Sequence, residues 1–328
     1  MKALKIGIVG TGYAAKKRAE AIALDYRATL VNVTGSNPER TQEFADNFAI
    51  SAVDSWQTLV NEPELDLVFV CTVNREHGAI ALAALQSGKH VVVEYPLALN
   101  YAEAAQIIDE AARQQKLLHI EHIEILGGLH SSIKEYLPKI GNVFYARYNT
   151  IAPQRNVTRD WKYHREMFGF PTLAALSRIH RLTDLFGEVE GVYCQNRYWD
   201  VENTDYFTAC LCNARLNFAN GVMADITYGK GDVFWWGHRT FEINGDRGTL
   251  LFEGEKGTLI QDREKTPIPV TSRRGLFTQD TTLVLDNLCQ GKSLYVQTSA
   301  SLYATKIADL ACQSALTNQS ITVVNNIA

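Results

Sequence analysis

A chain of 328 residues with 46% hydrophobic and 21% charged residues is long enough for two domains, each with its own core. Its net charge of -4 argues against nucleic acid or an anionic membrane surface as the main partner. Six cysteines stand singly with no Cys-x-x-Cys pair, which predicts reduced thiols in a cytoplasm rather than disulfide staples.

The first third alternates short apolar strands with amphipathic helices. Met1-Lys-Ala-Leu-Lys5 leads directly into a buried-strand pattern, which leaves no room for a signal peptide. No apolar run is long enough to span a bilayer. Strands are predicted over 4–9, 29–34, 65–71, 90–93 and 117–121, and helices over 14–24, 38–47, 76–87 and 101–115. Pro38 takes a first helical position ahead of Glu39, and Gly88 lies just past a helix end. Such alternation with continuous apolar strands predicts a parallel sheet covered on both faces.

The pattern changes after about Lys139. Strands are predicted over 143–151, 192–199, 206–218, 221–228, 238–244 and 249–253, many with period-two alternation. Asn220-Gly221 and Asn244-Gly245 are turn signals, and Cys210 and Cys212 share one strand face and are expected in the core. Helical patterns fall at 132–137, 173–185 and 298–316. The expected fold class is α/β plus α+β. Residues 1–122 form a Rossmann doubly wound parallel sheet, and residues 123–328 a large, mainly antiparallel open sheet with helices.

Gly7-Ile-Val-Gly10-Thr-Gly12-Tyr13-Ala-Ala15 follows a strand and opens a helix. Gly10 permits the tight turn, Gly12 lets the backbone approach a pyrophosphate, and Ala15 stands for the third glycine at the helix–strand contact. The phosphates then meet free N–H groups at the helix N-terminus, with Tyr13 alongside. The second strand ends without the carboxylate that would hold a ribose 2′-hydroxyl, whereas Ser36 and Arg40 suit a 2′-phosphate. NADPH is the expected cofactor, with NADH a weaker alternative. Thr72 and Asn74, at the next strand end, either contact the cofactor or cap the following helix, and Glu76 and His77 fit its surface.

Lys89-His-Val-Val-Val-Glu94-Tyr95-Pro96 ends where such a domain points a strand at the nicotinamide. A lysine there suits alcohol–ketone chemistry, whereas neutral Tyr95 offers a hydrogen bond and a flat face. Glu94 fixes local backbone or a neighbouring side chain at the same crevice. His119, His122 and Glu124 do not have His-Glu-x-x-His spacing, so no metal is expected. Glu121 and His122 suit polar positions at the crevice, His122 as a secondary proton relay. The cations and aromatics from Arg155 to Arg165, including Arg159 and Lys162, form either a substrate lid or a solvated loop. Trp235 and Trp236 fit a pocket wall or, more simply, sheet packing.

The Rossmann start, Glu94-Tyr95-Pro96 in place of Glu-Lys-Pro, and the C-terminal open sheet resemble the glucose–fructose oxidoreductase family. That family's downstream acid and histidine fall near Leu173 and Ser177, so its alcohol chemistry is missing here. Three segments resemble the biliverdin reductase branch: 93–96, 119–126, and Phe168-Gly-Phe-Pro171 running on to Arg178 and Leu185-Phe-Gly-Glu188. This resemblance implies NADPH-dependent hydride transfer to the central methine carbon of biliverdin, giving bilirubin. It implies Arg178 and Tyr95 as the catalytic pair. Arg178 orients a water or pyrrole N–H and stabilises developing charge, or donates the proton directly. Tyr95 stacks on substrate, hydrogen-bonds the cofactor, or packs beneath the nicotinamide. Glu121, His122, Arg159, Lys162 and Arg178 are implied to meet substrate and its propionates. A monomer is implied, with pairing through the second sheet as the alternative. A sugar or cyclitol dehydrogenase of the same fold and a non-catalytic bilin- or NADPH-binding regulator remain the competing functions.

Overall fold

The computed structural model describes residues 3–157 and 159–324. Strands β1 (Leu4–Val9), β2 (Ala28–Thr34), β3 (Ser51–Ala52), β4 (Leu67–Val70), β5 (His90–Val93) and β6 (Leu118–Ile120) form one sheet. Their order is β3-β2-β1-β4-β5-β6 and every pairing is parallel. Leu67-Val-Phe-Val70 is buried throughout because helices cover both faces of the sheet. Val68, Ile80 and Ile107 pack on one side, and Ile8, Phe69 and Val284 on the other. The order reverses between β1 and β4, which opens the crevice at the strands' carboxyl ends.

The second sheet contains β7 (Val143–Pro153), β8 (Val189–Asp200), β9 (Phe207–Phe218), β10 (Met223–Gly231), β11 (His238–Gly245), β12 (Gly248–Glu253), β13 (Lys256–Gln261), β14 (Glu264–Ile268) and β15 (Ile321–Thr322). Its order is β14-β13-β12-β11-β7-β10-β9-β8-β15, antiparallel except where β10 runs parallel to β7. Alternating burial along β9 shows the two-sided pattern expected of a sheet with one covered face. Cys210 and Cys212 are both buried there, and Cys212 Sγ lies 3.4 Å from Cys194 Sγ.

Three expectations need correction. Residues 173–185 do not form one helix: Pro171–Ala174 is a single turn, Ala175 leaves helical geometry, and a new helix runs Ser177–Phe186. The helix Leu276–Gln290 was not anticipated, because its threonines dilute the helical signal and the apolar stripe holds an aspartate. The division at residue 122 also changes. Contacts gather residues 1–123 with 274–302 in one compact unit, and residues 124–273 with 303–328 in the other. The unexpected helix packs against Tyr13–Ala23 inside the first unit, so the Rossmann unit is discontinuous in sequence. Among the described residues, no helix is long and apolar enough to cross a membrane.

Candidate functional site

The glycine loop is shaped for a ligand's phosphates. Gly10 has φ +122°, and a Cβ there would collide with the Cys71 carbonyl, so the turn requires glycine. Gly12 is the N-cap of helix Tyr13–Ala23, in ordinary extended backbone, and a Cβ on it would meet no protein atom within 4 Å. The protein does not need glycine at that position, whereas an anion lying on the helix end does. No side chain caps this N-terminus and its first turn holds no acid, so its N–H groups remain available. Ala15 is fully buried against the sheet, in the place of the third glycine. These features fit a dinucleotide pyrophosphate. Gly12→Val is therefore expected to cost about 1 kcal/mol or less in stability while abolishing dinucleotide binding. Unchanged NADPH fluorescence enhancement on mixing would remove the loop from the cofactor site.

A cleft of about 630 Å³ continues from Gly12 and Tyr13 to Arg40, with Lys16 also on its wall. Tyr13 is exposed and meets Phe277 edge-on at 6.0 Å. Ser36 and Arg40 are exposed, and Arg40 has no ion pair among the described residues. Asn37 Oδ1 accepts from the Arg40 backbone N–H at 2.8 Å and caps helix Pro38–Phe48. Both cations line this cleft, and a single lysine in a first turn carries no motif in the sequence.

Thr72 and Asn74 do not cap the next helix: Val73 is the N-cap, with no side-chain bond. His77 is not a surface residue. It is buried, with Nδ1 2.8 Å from the Pro96 carbonyl and Nε2 3.1 Å from the Thr72 carbonyl. It thereby ties the ends of β4 and β5 together, and burial lowers its pKa.

Behind Tyr95 lies a buried ionic network. Arg18 is fully buried on the same helix stripe as Ala15, Ala19 and Ile22. Its Nε donates to Glu94 Oε1 at 3.0 Å, and its Nη1 donates to Asp280 Oδ2 and to Thr281 Oγ1. Asp280 Oδ1 accepts from Tyr295 Oη at 2.6 Å and lies 2.8 Å from His119 Nε2. Burial alone would raise the Asp280 carboxyl, but Arg18 and His119 outweigh it and hold it well below the usual range. Glu94, expected at this crevice to fix local backbone or a neighbouring side chain, pairs with Arg18.

Glu121 and His122, expected as polar groups at the crevice, are both buried. Glu121 Oε1 accepts from the Ile123 N–H at 2.6 Å, and burial with the nearby Glu94 charge pushes its carboxyl well up. His122 Nε2 lies 2.8 Å from Ser301 Oγ, and its ring stacks on half-buried Tyr95 at 5.7 Å with a 4° interplanar angle. His119, His122 and Glu124 thus have separate partners, and no metal-holding group of three acids, histidines or cysteines occurs among the described residues.

In the second unit Arg178 is half-buried and pairs with no carboxylate among the described residues. Its Nε donates to Thr150 Oγ1 at 3.3 Å and its Nη1 to Ser177 Oγ at 3.4 Å. Its guanidinium lies 5.0 Å from the Tyr228 ring centroid and 5.9 Å from that of Tyr148. Leu173 is buried and Ser177 serves Arg178, so neither supplies an acid or base.

Arg159 lies 5.8 Å from the Tyr206 ring and Lys162 5.8 Å from that of Trp161. Thr158, within that stretch, lies outside the described residues. The loop is tied down by Lys230, whose Nζ donates to the Lys162 carbonyl and sits 3.3 Å from the Phe168 ring centroid. Burial lowers the Lys230 pKa to about 8. Trp235 and Trp236 are 86% and 79% exposed, so they are not sheet core.

Residues 4–122 match the oxidoreductase family's NAD-binding Rossmann fold, and residues 134–323 match its C-terminal alpha/beta domain. The chain belongs to the GFO/IDH/MocA oxidoreductase family. Within that family, a biliverdin reductase from Synechocystis sp. PCC 6803, solved with biliverdin and NADP+, is 55% identical with a TM-score of 0.94. The match covers 95% of this chain and 98% of that one. Biliverdin reductase A of Mus musculus is 31% identical over 183 residues, 56% of this chain and 58% of that protein. The Homo sapiens enzyme is 26% identical over 188 residues, with the same two shares. The chain thus spans little more than half the length of these two curated relatives. A levoglucosan dehydrogenase with NADH and levoglucosan shares the GFO/IDH/MocA fold at TM-score 0.84 and 19% identity, covering 99% of this chain and 100% of its own.

Proposed function

We propose that this chain is an NADPH-dependent biliverdin reductase, which adds hydride to the central methine carbon of biliverdin and a proton to a pyrrole nitrogen, giving bilirubin. The observation that carries this reading is Arg178, a guanidinium whose described partners are only hydroxyls and aromatic rings. The likeness to the Synechocystis biliverdin reductase supports it. NADPH, when bound, supplies the hydride. Gly12 and the free helix end hold its pyrophosphate, and Arg40 with Lys16 suits the 2′-phosphate.

The charge that arrives with hydride spreads over a conjugated tetrapyrrole, so no alkoxide forms and no lysine base is needed. Tyr95 then serves as a flat wall held by the His122 ring, and the Arg18 network fixes the strand end beneath it. Arg178 stabilises the developing negative charge and orients the water that supplies the proton, which solvent then returns.

The test is to mix the purified protein with NADPH and biliverdin and record the visible spectrum. The expected outcome is loss of the red-absorbing band and growth of a blue-absorbing one. Bilin binding without a change of oxidation state would replace the enzyme with a bilin-binding regulator. No interaction, with turnover of a sugar or cyclitol, would make it a dehydrogenase.

A further inference from the structure

The second unit gathers more positive charge around one point than its acids balance. Glu124 Oε2 accepts from Arg181 Nη2 at 3.1 Å and from Arg239 Nη2 at 3.3 Å, while Oε1 accepts from Arg273. Tyr148 Oη accepts from Arg181 Nη1 at 2.6 Å and from Arg239 Nη2 at 3.0 Å. Three guanidiniums thus share one carboxylate, and a fourth, that of Arg178, lies 5.9 Å from the Tyr148 ring centroid. The nearby acid Asp184 is already paired with His130 and Lys134.

The arrangement is set by the sheet. In the β11–β7 register Arg239 lies opposite Thr150 and Phe241 opposite Tyr148. The Phe241 and Tyr148 rings stack at 4.5 Å and 11°, which makes a rigid floor. Burial would raise the Tyr148 pKa, yet the guanidiniums of Arg181, Arg239 and Arg178 prevail and lower it, so the local field is strongly positive. Two donors remain unfilled, Arg239 Nε and Arg181 Nε, both buried with no partner among the described residues. Arg181 is only 1% exposed, whereas Arg239 and Arg273 are 29% and 48% exposed. Arg18 Nη2 in the first unit is also a vacant buried donor, but Arg18 is fully buried and faces two carboxylates, whereas Arg239 and Arg273 are partly exposed and share one. A receptor for a carboxylate has both surplus charge and vacant donors.

Resting on the function proposed above, we infer that Arg239, flanked by Arg273 and Tyr148, docks one propionate carboxylate of the bilin. Glu124 and the wholly buried Arg181 are positioning residues: they hold the guanidiniums of Arg239 and Arg273 and the Tyr148 hydroxyl in place for that group. This dock is distinct from Arg159 and Lys162, whose guanidinium and ammonium lie by the Tyr206 and Trp161 rings.

The test compares biliverdin with its dimethyl ester, which has the same conjugated system without the two carboxylates. Wild-type protein is expected to favour the free acid. Arg239→Gln should raise KM for biliverdin by roughly 10- to 100-fold, the range for loss of a charge-assisted hydrogen bond. It should also collapse the preference for acid over ester, with a smaller effect on kcat. Arg239→Lys should recover part of the loss, because it restores the charge without the planar fork. An acid-over-ester preference that survives Arg239→Gln, or an equal loss on both pigments, overturns the dock. A wild-type protein inert towards both pigments overturns the biliverdin reading and the dock with it, and the wild-type control alone reveals this.

Discussion

Arg178→Ala is expected to lower biliverdin turnover by roughly 100- to 1,000-fold, the range for removing one preorganised charge stabiliser, with NADPH affinity unchanged. Arg178 has no acid partner to share its charge and is held by Thr150 and Ser177 hydroxyls, so its field is available to a ligand. A guanidinium holds its proton firmly, which favours orienting a water that supplies the proton over direct donation. Arg178→Lys should keep part of the rate by retaining the charge, although it loses the planar fork. The loss should appear in kcat for both biliverdin and its dimethyl ester, unlike the KM effect expected at Arg239. Stopped-flow turnover separates the two residues, and an unchanged Arg178→Ala rate would remove Arg178 from the mechanism.

Arg18→Met is expected to destabilise the protein by about 3–5 kcal/mol, because it strands a buried charge without its partner. Methionine fits beside Phe69 and Phe277, whose rings already flank the guanidinium at 5.6 and 5.0 Å. The cost therefore comes from Asp280 and Glu94 rather than from a cavity. Combining Arg18→Met with Asp280→Asn should recover part of the loss, since the orphaned charge is removed too. The depressed Asp280 pKa also fixes the acid response. Its stabilisation is fully present above the unfolded carboxylate value near ~3.9 and is lost as pH falls towards the lower folded value. Urea denaturation measures the change, and a loss below about 1 kcal/mol for the single variant would mean the network is not held by its charges.

The two sheets were legible because strand burial writes itself into apolar continuity in one half and alternation in the other. The phosphate loop was legible because Gly10 and Gly12 stand at a first strand–helix turn. The buried charges were only half visible. Arg18 interrupts an Ala15, Ala19, Ile22 stripe, which signals a charge carried inward, but its partner Asp280 sits in a helix that the threonines concealed. His77 looked like a surface residue because its acceptors are backbone carbonyls, which no side-chain pattern announces. The arginine cluster was hidden for another reason. Glu124, Tyr148, Arg181, Arg239 and Arg273 meet only through strand register and the return of the chain after β14.

The discontinuous first unit has a consequence for how the protein is made. Arg18 and Asp280 are 262 positions apart, so the cation leaves the ribosome tens of seconds before its anion at about 5–20 residues per second. For that interval Arg18 has Glu94 as its only acid partner from the described network, and the side later covered by Asp280 stays open to solvent. The second unit's strands are synthesised while the first unit is still open, and residues 274–302 complete the first unit only near the end of translation. The buried pair therefore ties the first segment of this unit to its last, so the unit is completed only after the second unit's strands have been made.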